Sequence, residues 1–220
     1  MGIVCEDTDN GKFYTVVCVL ITVVCVLTDN NTIRRSHTYK SNLLYLKMEL
    51  GEVYFYTVAI VDWIPLLETE KFKLIVLNSL IHLVQKKKLI VYGFVIMPNH
   101  IHIIWESTSQ NGKEMPYASF AKFTGHEFLK ELRQTDKALL SKFKTNRNSR
   151  SCQFWQRNGL PVLMFNRQIL EQKLDYIHTN PLQEHWSLVD DPNDYYFSSC
   201  SFYEQGDNRF SWLTHYMDAF

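Results

Sequence analysis

Two histidines one residue apart, His100 and His102, are the residues whose type and spacing point most directly to chemistry. They lie in the string VYGFVIMPNHIHIIWE at residues 91–106, where a Met-Pro-Asn break separates two apolar runs. This pattern predicts two short strands joined by a turn. Side chains alternate along a strand, so both imidazoles project from one face and can bind one divalent ion. The spacing equally fits two partly buried histidines with ordinary hydrogen bonds, so a metal site needs a second element with matching chemistry.

A helix with a clear start and stop supplies a second element. Asn166 can cap its first turn, and Pro181 ends it because proline disfavours helical geometry in the residue before it. The sequence therefore predicts a helix over residues 167–180. Its expected core stripe consists of three apolar residues at the helical period: Leu170, Leu174 and Ile177.

A neighbouring face of this helix carries Lys173, Tyr176 and Asn180 at positions i, i+3 and i+7. A tyrosine on a helix is most often a half-buried aromatic, but a lysine one turn above and an amide one turn below make a less ordinary set. His178 lies roughly 200° around the helix from Tyr176, so we expect it to serve packing.

Together the two elements suggest a reaction. A divalent ion held by two imidazoles and an amide oxygen can polarise a phosphodiester, and a nearby tyrosine hydroxyl can attack its phosphorus to form a phosphotyrosine. These ligands suit Mg²⁺ or Mn²⁺, and Mn²⁺ accepts nitrogen ligands more readily.

The composition sets limits on the class of protein. At 220 residues the chain is long enough for one domain, with room for an appendage. Its 23 basic and 23 acidic residues balance, so a nucleic-acid surface must be a local patch. Its five cysteines include no C-x-x-C pair, which argues against a disulfide framework or a zinc site and predicts a cytoplasmic protein.

A basic stretch between Lys122 and Arg150 holds eight lysines and arginines against three acids. It fits either a solvated helix face and loop or a track for DNA phosphates. Two aromatic residues in or beside it, Phe123 and Trp155, fit either base stacking or the core. The candidate DNA-binding residues are Lys122, Lys130, Arg133, Arg157 and Lys173.

The remaining elements follow from apolar patterning. We predict a buried strand over 53–62 that Pro65 ends, a helix over 68–87, and a second helix from Pro116 to about Arg133. The aromatic-rich segment 184–220 is predicted to wrap back onto the sheet.

The first 47 residues differ from the rest. The string TVVCVL occurs at 15–20 and again at 22–27, inside a fifteen-residue apolar run. That run is shorter than the ~18 residues typical of a membrane span, and the acids before it do not suit a signal peptide. We expect this extension to be translated upstream repeat DNA outside the fold, with the native start at Met48 and the domain over 48–220. A membrane anchor is the alternative.

Three strings carry a family resemblance: MPNHIHIIW at 97–105, QKLDYIHTNP at 172–181 and DYYFSS at 194–199. In combination they resemble the REP-associated tyrosine transposases, single-tyrosine members of the HUH endonuclease superfamily that act on single-stranded DNA. The similarity covers roughly residues 52–204. It implies an α+β fold with a ferredoxin-like antiparallel sheet of βαββαβ type. By the same resemblance, His100, His102 and Asn180 are metal ligands and Tyr176 is the nucleophile.

The resemblance also implies a function, namely a metal-dependent endonuclease and strand transferase that leaves a 5′-phosphotyrosine and a free 3′-hydroxyl. The expected cofactor is Mg²⁺ or Mn²⁺. The expected partner is single-stranded or hairpin DNA, for a monomer or homodimer without stable membrane association. One alternative is a catalytically silent nucleic-acid-binding protein with the same fold. Another is a replication initiator or relaxase, but these commonly carry further regions, and nothing here resembles one.

Overall fold

The chain contains two units, Met1–Asn42 and Leu43–Phe220. In the first unit, strand β1 (Ile3–Glu6) pairs antiparallel with strand β2 (Phe13–Val16). The second copy of the TVVCVL repeat lies outside the described residues. Among the residues that are described, no helix is long and apolar enough to cross a membrane. The computed structural model describes residues 3–6, 13–16, 48–145, 151–157 and 159–219.

The second unit is built on a four-stranded sheet in which all neighbouring strands are antiparallel. Its strands are β3 (Val53–Ala59), β4 (Leu89–Ile96), β5 (His100–Ser107) and β6 (Leu160–Leu163). They lie in the order β4-β5-β3-β6, so the central pair is β5 and β3.

Helices connect these strands in the βαββαβ order. The helices are α1 (Glu70–Gln85), α2 (Pro116–Thr135), α3 (Lys137–Ser141), α4 (Arg167–Thr179) and α5 (Cys200–Glu204). Helix α1 joins β3 to β4, and α2 with α3 joins β5 to β6. Connectivity and strand order together confirm the predicted α+β fold with a ferredoxin-like antiparallel sheet.

Successive side chains of strand β5 point to opposite faces of the sheet, as its alternation predicts. On one face, Trp105 packs edge-on against Phe120 of α2, with ring centres 6.1 Å apart. Helix α1 lies on the same face, because its Phe72 contacts Phe128 of α2. His102 points to the other face, where α4 packs.

A glycine lets α4 approach the sheet closely. A Cβ added at Gly93 of β4 would lie 2.5 Å from Cδ2 of Leu174, inside any normal contact distance. The predicted stripe on α4 is confirmed, since all three of its residues are buried: Leu170, Leu174 and Ile177.

The C-terminal segment covers the outer edge of β4. Ile96 N–H donates to the Phe197 carbonyl (2.9 Å), and Ser199 N–H donates to the Phe94 carbonyl (2.9 Å). The ring of Trp212 stacks on Phe94 at 5.5 Å. Edge groups that would otherwise pair with another strand are thereby satisfied within the chain.

Several boundaries differ from expectation, and helix α1 spans Glu70–Gln85 where 68–87 was predicted. The first strand of this sheet ends at Ala59, because Asp62 and Trp63 turn the chain with φ of 53° and 55°. Helix α4 ends beside the predicted proline, yet Asn180 keeps helical angles (φ −56°, ψ −41°). The chain continues there as a 3-10 turn, Asn180–Leu182, because a tighter turn still satisfies the last carbonyls of the helix.

Candidate active site

The two histidines of β5 form a buried pair. His100 Nε2 and His102 Nε2 lie 3.1 Å apart. Burial lowers the pKa of His100 to about 4, with the charge of His185 contributing. Burial is the main cause that lowers the pKa of His102 well below its ordinary value, and the charges of His100 and Lys173 lower it further. Both imidazoles are therefore neutral at pH 7, the form in which a ring nitrogen binds metal.

The far nitrogen of each ring has a partner. His100 donates its Nδ1–H to Asn99 Oδ1 at 2.7 Å. His102 Nδ1 lies 2.7 Å from Oγ1 of Thr57, its register partner on β3. The side-chain amide oxygen of Asn99 can only accept a hydrogen bond, so the proton of His100 lies on Nδ1. Nε2 of His100 therefore has a lone pair that points toward His102. The Thr57 hydroxyl can donate or accept, so His102 can adopt either tautomer.

Helix α4 brings Tyr176 and Asn180 to this pair. The helix is capped by Asn166, whose side chain accepts from the Ile169 N–H at 2.9 Å. The ring centre of Tyr176 lies 5.2 Å from that of His102. The Asn180 side chain hydrogen-bonds Tyr176 and is buried. Its Oδ1 atom has no hydrogen-bond partner among the described residues.

The electrostatics of Tyr176 combine opposing effects. Burial raises the pKa of its hydroxyl, while the hydrogen bond from Asn180 opposes that rise. Lys173 Nζ lies 5.6 Å from the centre of the Tyr176 ring and 5.0 Å from that of Phe55. The pKa of Lys173 is lowered by burial. The phenol is thus protonated at pH 7, and the hydrogen bond from Asn180 favours its phenolate.

The donor atoms fit a divalent ion. Two nitrogens bound to one ion at about 2.1 Å each lie roughly 3–3.4 Å apart, the separation of the two Nε2 atoms. The unpartnered amide oxygen of Asn180 is a third donor on the adjacent helix. In the described part of the chain, no cluster of three or more His, Cys, Asp or Glu side chains could hold a metal. A metal here would therefore depend on Asn180 as well as on His100 and His102.

The basic residues predicted to bind DNA divide between the two faces of the sheet. Lys122, Lys130 and Arg133 lie on α2, which packs on the face opposite the imidazoles. Lys173 lies at the site, and Arg157 is exposed in the segment before β6. The structure thus brings Lys173 to Tyr176 and leaves the α2 residues away from it.

The two aromatic residues of the basic stretch also differ in position. Trp155 is buried and donates its Nε1–H to Thr124 Oγ1 at 2.8 Å, so it belongs to the core. Phe123 is 49% exposed on α2. His178 packs in the core as expected, with Nε2 2.9 Å from Ser199 Oγ.

Four residues at the site escaped the sequence reasoning. Thr57 and Asn99 hold the histidine rings, and the tryptophans Trp63 and Trp186 lie beside His100. Thr57 could have been noticed as a polar residue inside an apolar strand, and Asn99 as the direct neighbour of His100. Nothing local in the sequence indicates that the tryptophans approach the site.

The similarity of this chain to known proteins is distant. No protein-family model and no curated protein matches it. Among solved structures, the chain is similar to a REP-associated tyrosine transposase bound to a REP hairpin. The two are 17% identical, with a TM-score of 0.49, over 82% of this chain and 89% of that chain. The relation is a distant structural one.

Proposed function

We propose that this protein is a metal-dependent endonuclease and strand transferase for single-stranded DNA, which acts on hairpin DNA as a transposase. The observation that carries the proposal is the convergence of two neutral imidazole nitrogens 3.1 Å apart with the Tyr176 phenol. The unpartnered Asn180 oxygen supports it, because an acceptor buried without a partner is costly unless a ligand satisfies it. The three sequence strings that resemble the REP-associated tyrosine transposases support it as well.

The proposed ligands of the metal are His100, His102 and Asn180, with Mn²⁺ or Mg²⁺ as the ion. When bound, such an ion polarises the phosphodiester and neutralises charge that develops on its oxygens. Asn99 and Thr57 orient the imidazole rings through their Nδ1 atoms.

Tyr176 is the proposed nucleophile. Its Oη atom attacks phosphorus and loses its proton to solvent water, and the bond from phosphorus to the 3′ oxygen breaks. The departing oxygen takes up a proton and becomes a free 3′-hydroxyl, while the 5′ side stays on Tyr176 as a phosphotyrosine. Attack of a 3′-hydroxyl on that linkage rejoins two strands. The hydrogen bond from Asn180 favours the phenolate, and the Lys173 ammonium lies 5.6 Å from the centre of the Tyr176 ring.

The experiment that tests this proposal looks for the covalent product. Hairpin oligonucleotides with a random four-nucleotide flank and a 3′ label are incubated with protein and Mn²⁺, and products are separated on a denaturing gel. We expect the wild type and a Tyr196→Phe control to form a protein-linked DNA band, and Tyr176→Phe to form none.

EDTA should abolish the band in the wild type and in Tyr196→Phe. Identical products from the wild type and Tyr176→Phe would show that Tyr176 is not the nucleophile. Binding of the hairpins without any adduct would identify the catalytically silent alternative.

A further inference from the structure

Trp63 is a large aromatic residue that is left open to solvent next to the proposed active site. Its side chain is 51% exposed, whereas tryptophan is usually well buried. Its ring centre lies 5.8 Å from that of His100, with the two planes at 71°. A second tryptophan, the half-buried Trp186, lies 5.9 Å from His100. Indole rings thus border the imidazole pair, and that of Trp63 has surface available for a ligand.

The backbone that presents Trp63 is held in an uncommon conformation. Asp62 and Trp63 both have positive φ, at 53° and 55°, which residues with side chains seldom adopt in succession. Two hydrogen bonds hold Trp63 there: its N–H donates to the Ile60 carbonyl (3.0 Å), and its carbonyl accepts from Asn99 Nδ2 (3.2 Å). The backbone that carries the ring is therefore held in place by the fold.

Asn99 connects Trp63 to the metal-binding histidine. Its amide nitrogen bonds the Trp63 carbonyl, and its amide oxygen accepts from Nδ1–H of His100. One side chain therefore contacts both the ring of a proposed ligand and the backbone that carries the exposed indole. A group bound at the imidazoles and a ring stacked on Trp63 would be held in a defined relation to each other.

We propose that Trp63 is a stacking platform for an unpaired nucleobase next to the phosphodiester that binds at His100, His102 and Tyr176. This inference rests on the proposed function, since it requires a single-stranded nucleic acid at that site. A phosphate held beside the imidazoles and Lys173 carries its base one sugar away, within reach of an indole 5.8 Å from His100. Stacking uses the face of the base, which is free in a single strand and covered in a duplex, so Trp63 selects unpaired substrate without reading its sequence.

A binding cycle tests the proposal. The two ligands are fluorescein-labelled dT12 and a fluorescein-labelled twelve-unit strand of the same backbone without bases. Their binding is measured by fluorescence anisotropy with Mn²⁺ present. The protein carries Tyr176→Phe, so that no covalent product forms. We expect adding Trp63→Ala to weaken binding of dT12 about 5- to 150-fold and to leave binding of the abasic strand unchanged. Trp63→Phe should retain most of the affinity for dT12. Trp63→Ala should not change binding of a dT12·dA12 duplex.

Tyr196→Ala is the matched control. Tyr196 is 49% exposed and contacts Phe210, which packs on Phe94, away from the imidazole face. Tyr196→Ala should leave the affinity for dT12 and the affinity for the abasic strand unchanged. The circular dichroism spectrum of each variant should match that of the parent protein. Equal weakening of dT12 and the abasic strand by Trp63→Ala would overturn the proposal, as would equal affinity of the parent protein for the two strands.

Failure of this inference is distinguishable from failure of the proposed function. If no covalent adduct forms but Trp63→Ala removes the contribution of the bases to binding, the stacking site stands and the nuclease assignment fails. If the adduct forms and bases contribute nothing through Trp63, the nuclease stands and the stacking site fails.

Discussion

Nε2 of His100 faces Nε2 of His102 at 3.1 Å, inside a region from which solvent is almost excluded. Two bare lone pairs at this distance repel, so without a cation one nitrogen must carry a proton. His100 already donates from Nδ1 to Asn99, so that proton belongs to His102, whose Nδ1 then accepts from Thr57. If both rings were to hold a cation through Nε2, the proton of His102 would have to lie on Nδ1, and Thr57 would then be its acceptor. The threonine hydroxyl accommodates both states by rotation.

Replacement of His102 by phenylalanine removes a proposed ligand and keeps the ring volume. We expect Mn²⁺ affinity to fall by more than about 100-fold, beyond the effect typical of an outer-shell partner. Isothermal titration with Mn²⁺ measures it. His178→Phe is the matched control, because His178 is similarly buried but hydrogen-bonds Ser199. The Mn²⁺ affinity of this variant should stay at the wild-type level. Unchanged affinity in both variants would exclude His102 as a ligand.

Thr57→Val tests the tautomer argument without touching a ligand. Valine has nearly the same shape but can neither donate to His102 nor accept from it, so we expect Mn²⁺ affinity to fall about 10- to 100-fold. Thr57→Ser keeps the hydroxyl and should retain most of the affinity. The same titration compares the three proteins, and equal decreases for valine and serine would indicate packing as the cause.

Asn180 should connect metal binding to stability. At a Mn²⁺ concentration 100 times its Kd, we expect the wild type to gain about 2.7 kcal/mol, which corresponds to a rise in Tm of roughly 5–10 °C. Asn180→Ala should show a much smaller rise, and Asn180→Asp should recover it because its carboxylate still offers an oxygen. Differential scanning calorimetry with Mn²⁺ or EDTA measures the shift. A full shift in Asn180→Ala would rule out the amide as a ligand.

The elements of the site could be predicted because their signals are local. Alternation along β5 gives the face on which His100 and His102 lie, and the helical period gives the face of α4 that carries Tyr176. Both depend only on residues a few positions apart, and the βαββαβ order followed from the resemblance of the three strings.

Contacts between distant segments could not be predicted in this way. Thr57 meets His102 through the register of β3 against β5, which no single segment encodes. The positive φ of Trp63 depends on hydrogen bonds with Ile60 and Asn99. Charge patterning identified the basic residues of α2 but contains no information about which face of the sheet that helix covers.

Gly93→Ala should disturb the contact that sets the height of Tyr176 above the sheet. The added methyl would lie 2.5 Å from Leu174 Cδ2 and 3.3 Å from Ile177 Cδ1, so the buried Leu174 side chain must change its rotamer or α4 must shift away from β4. Overpacking of this kind costs about 1–3 kcal/mol of unfolding free energy. Gly125→Ala is the control, because its methyl would meet nothing closer than 3.9 Å and helix propensity favours alanine by about 1 kcal/mol. Urea unfolding of both variants should give changes of opposite sign, and equal changes would contradict the close approach.

The basic residues of α2 test whether DNA binding extends beyond the face that holds the imidazoles. Replacing Lys122, Lys130 and Arg133 by glutamine should weaken binding of single-stranded DNA and reduce its salt slope by about 0.7 for each phosphate that the protein no longer neutralises. The single-turnover rate of saturated protein should not change, because α2 lies on the opposite face of the sheet from Tyr176. Lys173→Gln should lower that rate, since its ammonium lies 5.6 Å from the Tyr176 ring. An unchanged salt slope in the triple variant would confine DNA to the α4 side of the sheet and assign the α2 charges to solvation.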